Sequence, residues 1–493
     1  MSFSIVAKEK LRNRIELHFY EDLASSEYKV ETIDATQLLT WNRFDLSFKL
    51  MFLKMISHDV KFAQKAYEEH IGAFSLGKFK EPGDSQKDNI TNYIKVFHDI
   101  FNDIKNYGFD DNKSIIPISK NGSIANGSHR VASAIILGRE IDCVYIGADY
   151  HIYNYNFFYK RNVPIDIMDA AANAFVKYAT NVFIAIIWPA AVGKNQEIDE
   201  ILKNIVYKKE VKLNANGAHN LISQIYYGEE WIGSVEDSFK GSQGKLVECF
   251  KSFEPVRFVV FQSDFFDEVT QMKEKIRNIF NIGKHSIHIT DTSQETLRVA
   301  RMAFNDNSIH FLNHAKPNKY ISTSQKVGKF KEFLNKNKLN SSDVLLDSSI
   351  TLSAYGLREA RDTDFLCANN EKIKYKFESI NTHDEELDHY EEGKLEMIYN
   401  QNLHFYFNDI KFISLAKLYK MKINRNEEKD ANDCKLIESL IEDNLFKEYS
   451  GKFIQNIYYG KIKFRHGFMS FLRMIGLYSI LKRIYKSFGL LKK

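Results

Sequence analysis

Between Pro164 and Leu312, short apolar runs alternate with segments of helical period, and no other feature of this 493-residue chain restricts its fold as much. Pro164 opens a helical segment that continues to Lys177, and Val182 to Trp188 follows as an uncharged apolar run of strand length. Glu197 to Ile205, Asp267 to Phe280 and Gln294 to Phe304 carry the helical period; Val256 to Gln262, Ser286 to Ile289 and Ser308 to Leu312 read as further strands. Strands separated by helices bury their apolar faces by layering helix on sheet, which predicts an α/β domain over residues 166–327.

The flanking regions read differently. Roughly the first 110 residues are mostly helical by period, as in Asn89 to Tyr107, where Ile90, Tyr93, Ile94, Phe97, Ile100, Phe101 and Ile104 share one face. A short strand, Ile115 to Ser119, a turn at Asn121-Gly122, an apolar helix, Val131 to Leu137, and a strand, Ile141 to Ile146, complete a unit over residues 1–165. After the Lys- and Asn-rich stretch Gly328 to Ser342, a helix and surface connection, the strand Val344 to Leu346 opens a third unit over residues 328–450. At about 100 to 200 residues per domain, three such units suit the length.

Charge singles out the remainder, residues 451–493. This tail holds ten Lys and Arg and no acid, so a net charge of +4 leaves residues 1–450 at −6. A mildly acidic body argues against a nucleic-acid-binding surface, which needs a basic face. From Phe468 onward, Leu477, Ile480, Leu481, Ile484 and Phe488 oppose Ser479, Lys482, Arg483 and Lys486. A basic amphipathic helix of this kind predicts an anchor on an anionic membrane surface. The N-terminal residues lack the apolar stretch of a signal peptide. The longest apolar run, Val182 to Val192, is broken by Pro189 and is too short to span a bilayer. Cys143, Cys249, Cys367 and Cys434 are isolated from one another, as expected of reduced thiols in a cytoplasmic protein peripheral at the inner face of the membrane.

Two segments carry chemistry. In the first, Asp347 to Phe365, a Ser-Ser pair follows a hydrophobic strand, and Asp362 and Asp364 stand one residue apart on the next. Alternate residues of a strand face the same side, about 7 Å apart, a spacing suited to sharing divalent metal. A tight turn with hydroxyls and backbone N–H groups suits phosphate oxygens. This segment resembles the polymerase-β-like nucleotidyltransferase superfamily, with Ser348 where that family has glycine. The resemblance implies a mixed sheet with helices and a triphosphate held by Ser348, Ser349 and Arg358, with Arg361 adding charge. It also implies Mg²⁺ or Mn²⁺ on Asp362 and Asp364. Downstream, Asn402 to Ile413 is similar to the family's later strand and Arg425 to Asp433 to its trailing helix. On that alignment Asp409 is the candidate third catalytic carboxylate and His404 the runner-up.

The second segment is Asn126-Gly127-Ser128-His129-Arg130, opening the helix Val131 to Leu137. Gly127 permits close backbone approach, a helix start offers free N–H groups, and His129 and Arg130 bring positive charge, which together suit a phosphate. The alternative is a capping turn with Arg130 in an internal salt bridge. The segment resembles the ParB/sulfiredoxin-like fold, with Asn126 in place of that fold's aspartate, and the resemblance implies nucleotide or phosphate binding at these five residues.

The layout as a whole resembles multidomain sugar transferases of bacterial capsule and lipopolysaccharide clusters. That implies transfer of a nucleotidyl, phosphoryl or phospho-sugar group, from a nucleotide triphosphate or nucleotide-activated donor, to a sugar or glycan precursor. The alternatives are a ParB-like small-molecule kinase, a nucleic-acid-linked nucleotidyltransferase and a non-catalytic scaffold.

Overall fold

The computed structural model of the protein describes residues 3–56, 58, 60–81, 86–147, 152–252, 254–441, 464–465 and 467–478. The chain is mixed α and β, with three sheets and helices packed against each of them.

The first sheet contains β1 (Phe3–Ala7), β2 (Glu27–Asp34), β3 (Ile116–Ile118) and β4 (Glu140–Tyr145) in the order β1-β2-β4-β3. β1 and β2 lie in the stretch that reads as mostly helical. In β2, exposed Glu27 and Lys29 alternate with buried Tyr28 and Val30, a period of two that its charged residues obscure in an apolar count. β3 and β4 pair in parallel, so the chain must cross over between them, and the helix Ser128–Leu137 is that crossover. The helices Asp45–Ile56, Lys61–Ser75 and Ile90–Tyr107 supply its packing partners; Phe52 stacks on Tyr67 with ring centroids 4.6 Å apart.

The central sheet is β5 (Val182–Ile187), β6 (Ile205–Val211), β7 (Val256–Gln262) and β8 (Ile287–Ile289) in the order β6-β7-β5-β8, with every pair antiparallel. Alternate residues of β5 enter two different cores. Ile184 and Ile186 join the main apolar cluster, whereas Ala185 and Ile187 join a smaller one behind the sheet, with Ile198, Leu202, Val269 and Ile276 of the flanking helices. Burial on both faces explains why this strand reads as a continuous apolar run. β6 begins at Ile205, where the sequence extends a helix; that helix ends at Leu202, and β6 carries Lys208, Lys209 and Glu210 on an edge strand. Ser308 to Leu312 is not a strand but part of the helix Asp306–His314, because the Asn305 side chain accepts a hydrogen bond from the Ser308 amide and caps its start.

The third sheet is β9 (Val344–Asp347), β10 (Thr363–Cys367), β11 (Ile380–Thr382), β12 (His404–Phe407) and β13 (Ile410–Ile413), ordered β11-β10-β9-β13-β12. The later strand of the sequence reading is thus a hairpin, turning at Asn408-Asp409, both with positive φ. One buried apolar cluster passes through all three sheets, from Ile33 and Ile116 through Ile184 and Ile186 to Leu345 and Phe412. No helix among the described residues is long and apolar enough to cross a membrane. Residues 479–493, which hold most of the proposed amphipathic anchor, lie outside the described residues. The helical stretch before them leaves Phe464, Phe468, Phe471 and Met474 exposed.

Candidate functional site

At the end of β9 the chain turns through Ser348 into the short helix Ser349–Ala354, and β10 returns antiparallel with Asp364 level with Asp347. The turn and the start of β10 face a cleft of about 890 Å³ that Ser348, Ser349, Arg358, Arg361, Asp362 and Asp364 all line. Ser348 has φ 58° and ψ −133°, a conformation that favours glycine, and its amide donates to the Asp347 carboxylate at 2.6 Å. Holding a side chain there costs on the order of 1–3 kcal/mol. Ser348→Gly is therefore expected to raise stability by about 1 kcal/mol in urea denaturation while leaving the backbone turn intact. A loss of stability would show that the hydroxyl, not the turn, matters to the fold.

Ion pairing divides the charges of the cleft into two groups. Along one wall, Lys422 bridges Asp430 at 3.0 Å and Asp433 at 2.8 Å, and Arg425 binds Asp430 at 2.7 Å and Glu386 at 3.2 Å. Arg358 makes a bidentate contact with Asp433, at 2.5 and 2.8 Å. Arg358, expected as a phosphate contact, lines the cleft and is engaged with Asp433 in this structure. Asp362, Asp364 and Glu385, by contrast, have no ion pair among the described residues, and neither do Arg361 and Lys376 on the same cleft. The Ser349 hydroxyl donates to Asp362 at 3.2 Å. Burial, and next the charge of Asp362, push the Asp364 carboxyl up to about 6.

Beneath the pair lies a polar group that motif spacing does not reveal. Asp347 is fully buried and accepts from Tyr390 Oη at 2.5 Å and contacts His383 Nδ1 at 3.0 Å. Burial works to lower the His383 pKa, but the hydrogen bond and charge of Asp347 outweigh it and raise the value. His383 comes from the end of β11, which pairs with β10 in parallel; only that pairing brings it to the site.

Asp409 does not join the carboxylate pair. β13 runs parallel to β9 with Phe412 level with Leu346, which puts Asp409 level with Asp343, about 13 Å along the strands from Asp347. There it pairs with Arg298 at 3.1 Å. His404 is buried elsewhere, with Nδ1 on the Met397 carbonyl at 3.2 Å. No group of three or more His, Cys, Asp or Glu side chains among the described residues is arranged to hold a metal ion. The pair Asp362 and Asp364 still suits Mg²⁺, which is commonly bound by one or two carboxylates together with substrate phosphates and water.

At the N-terminal segment, Gly127 has φ 89° and precedes the helix Ser128–Leu137, as its role in a turn requires. A Cβ there would lie 2.6 Å from Ile116 Cδ1 and 2.9 Å from Arg130 Nη2. Gly127→Ala is expected to cost about 1–2 kcal/mol in urea denaturation, and an unchanged midpoint would contradict this account of the turn. Of the two expected cations, Arg130 is in an ion pair, as the alternative reading has it, and only His129 lacks charge. Arg130 pairs with Glu16 at 3.4 Å, and His129 Nε2 bonds Tyr67 Oη at 2.8 Å. Burial, then Lys49, hold the His129 imidazole well below its usual pKa, so it is neutral. Asn126 bonds the Gly127 amide with its own side chain. No protein-family model, curated protein or solved structure matches this chain.

Proposed function

We propose that the chain is a Mg²⁺-dependent transferase of bacterial surface-polysaccharide synthesis, moving a nucleotidyl, phosphoryl or phospho-sugar group to a sugar or glycan precursor. The observation that carries this reading is the unpaired charge of one cleft. Among the described residues Asp362 and Asp364 face it without a direct ion pair, and so do Arg361 and Lys376, while their neighbours are paired. Opposite charges left unsatisfied side by side suit a ligand that carries both signs, as a metal-bound polyphosphate does. The order strand, Ser-Ser turn, helix, then a strand that Asp362 precedes and Asp364 belongs to, supports a nucleotidyltransferase-like third unit.

In this reading Asp362 and Asp364 hold the metal, which when bound neutralises charge developing on the phosphates. The Ser348-Ser349 turn and Arg361 orient the phosphates, and His383, fixed by Asp347, sits beside them. The basic tail docks the enzyme on the inner face of the membrane, next to lipid-linked acceptors.

The test is to incubate the protein with each of the four nucleoside triphosphates, Mg²⁺ and a pool of sugar phosphates, and to resolve the phosphorus-containing products by NMR. Pyrophosphate release, lost in Asp362→Asn, is the expected result. Release of nucleoside diphosphate would instead favour a kinase reaction. Intact nucleotides that nevertheless bind would leave a non-catalytic nucleotide-binding scaffold.

A further inference from the structure

A second cavity, of about 110 Å³, opens where the helices Asp45–Ile56, Ile165–Tyr178 and Ser293–Ala303 meet β13 of the third sheet; none of the residues lining it lines the Asp362–Asp364 cleft. Four cations line it, one from each of these elements: Lys54, Lys177, Arg301 and Lys411. The acid nearest them is Asp343, whose carboxylate stands 3.9 Å from Lys54 Nζ. Lys411 is almost wholly buried and donates to the carbonyls of Ser342, at 2.7 Å, and Ile398, contacts that satisfy its protons without neutralising its charge. Lys177 is exposed at the cavity mouth; partial desolvation there, then Lys54 and Arg301, push its pKa down to about 8. Burial, with Arg301 next, holds that of Lys411 well below its usual value. Arg301 lies over the Tyr406 ring at 4.9 Å and Lys411 over that of Tyr399 at 5.3 Å, but Asp343 is the one carboxylate that faces the four cations at this seam among the described residues, so a bound anion would relieve the excess of positive charge.

Two unpartnered acceptors define what else the occupant carries. His404 is 1% exposed and lines the cavity. A carbonyl accepts only, so Nδ1 carries the proton that meets Met397 O, and a ring kept neutral by burial leaves Nε2 as an acceptor. Nε2 has no hydrogen-bond partner among the described residues, and neither has Asn173 Oδ1. The Asn173 amide is oriented by its donations to Phe304 O at 3.0 Å and Gln401 Oε1 at 3.1 Å, so Oδ1 also awaits a donor. Buried acceptors of this kind are costly unless a hydroxyl or water meets them.

We infer that this cavity binds a phosphate-type anion that carries a hydroxyl: hydrogen phosphate itself, or the phosphoryl end of a small hydroxylated metabolite. The volume admits several water-sized groups, enough for a phosphoryl group but not for a nucleotide. The occupant ties the three parts of the chain together at a point remote from the transferase cleft.

The test uses the full chain and calorimetric titration with inorganic phosphate, sulfate and a hexose 6-phosphate at matched ionic strength and neutral pH. Saturable phosphate binding is expected, weakened at least about tenfold in both Arg301→Gln and Lys177→Gln, whose side chains are not core and whose folding is checked by the urea midpoint. Arg361→Gln, in the transferase cleft, is expected to leave that affinity unchanged. Sulfate, of the same shape but without a hydroxyl at neutral pH, is expected to bind at least about tenfold more weakly. Tighter binding of the hexose phosphate than of phosphate identifies a metabolite as the source, and the reverse identifies free phosphate. No saturable binding, equal binding of sulfate, or a loss in Arg361→Gln with none in Arg301→Gln overturns the inference.

Discussion

Asp364→Asn is expected to lower transfer by at least about 100-fold, the scale on which removal of a metal ligand's charge acts, and at the same time to make the metal-free protein more stable above pH 6. The two effects share one cause. In the fold, burial and the charge of Asp362 raise the Asp364 carboxyl from its ordinary value to about 6. A raised value means that the folded state prefers the protonated form. The stabilising contribution is thus present below the unfolded pKa and is lost as pH rises through about 6. Asparagine mimics the protonated form at every pH. With discounting for the partial exposure of the group, the gain at pH 8 is about 1 kcal/mol in urea denaturation without metal, and it vanishes near pH 4. Added Mg²⁺ and nucleotide are expected to stabilise the wild type and not the variant. A variant that is less stable at pH 8, or equally active, would contradict the assignment of this carboxylate.

Asp45→Ala is expected to have the largest effect on stability, about 3–5 kcal/mol, as the removal of one partner from a buried charge network does. Arg43 clasps Asp45 at 2.7 and 2.8 Å, Lys49 reaches it at 3.1 Å, and Lys49 also contacts His70 Nε2 at 3.1 Å, all within the buried interior. Burial alone would raise the Asp45 pKa, but Arg43 and then Lys49 outweigh it and hold the carboxylate well below its usual range. That stability is present above the unfolded carboxylate pKa of about 4 and is lost as pH falls below it. Arg43 also donates to the Ile124 carbonyl, so the network anchors the strand-to-loop passage before Asn126. The loss is measured as the shift in urea midpoint at pH 7; a shift worth less than about 1 kcal/mol would make the network an ordinary surface-like set of ion pairs.

What the sequence reveals follows the range of the interactions involved. The central strands were legible because burial on both faces of β5 leaves no polar residue in Val182–Ile187, and the helix Ile90–Tyr107 because seven apolar residues share its inner face. The strand β2 is not, since exposed Glu27 and Lys29 flank its buried Tyr28 and a buried Glu31 follows Val30, so charged residues break the apolar pattern. The helix Asp306–His314 reads as a strand because the deciding contact is a cap from Asn305 outside the apolar run. In the cleft, Ser348, Ser349, Asp362 and Asp364 are close in sequence, so one motif holds them all. His383, Tyr390 and Asp347 meet only through strand pairing and a distant turn, and nothing in their spacing announces it. Asp409 failed for the converse reason: nearness in a motif alignment says nothing about which end of β13 it occupies.

The account rests on the claim that Asp362 and Asp364 recruit a metal-bound nucleotide to the cleft. Calorimetric titration of nucleoside triphosphate into the wild type and Asp364→Asn, each with and without Mg²⁺, tests it most directly. The account predicts Mg²⁺-dependent binding to the wild type that weakens at least about tenfold in the variant, with both proteins equally weak when Mg²⁺ is absent. Equal binding to both proteins in the presence of Mg²⁺ would contradict it.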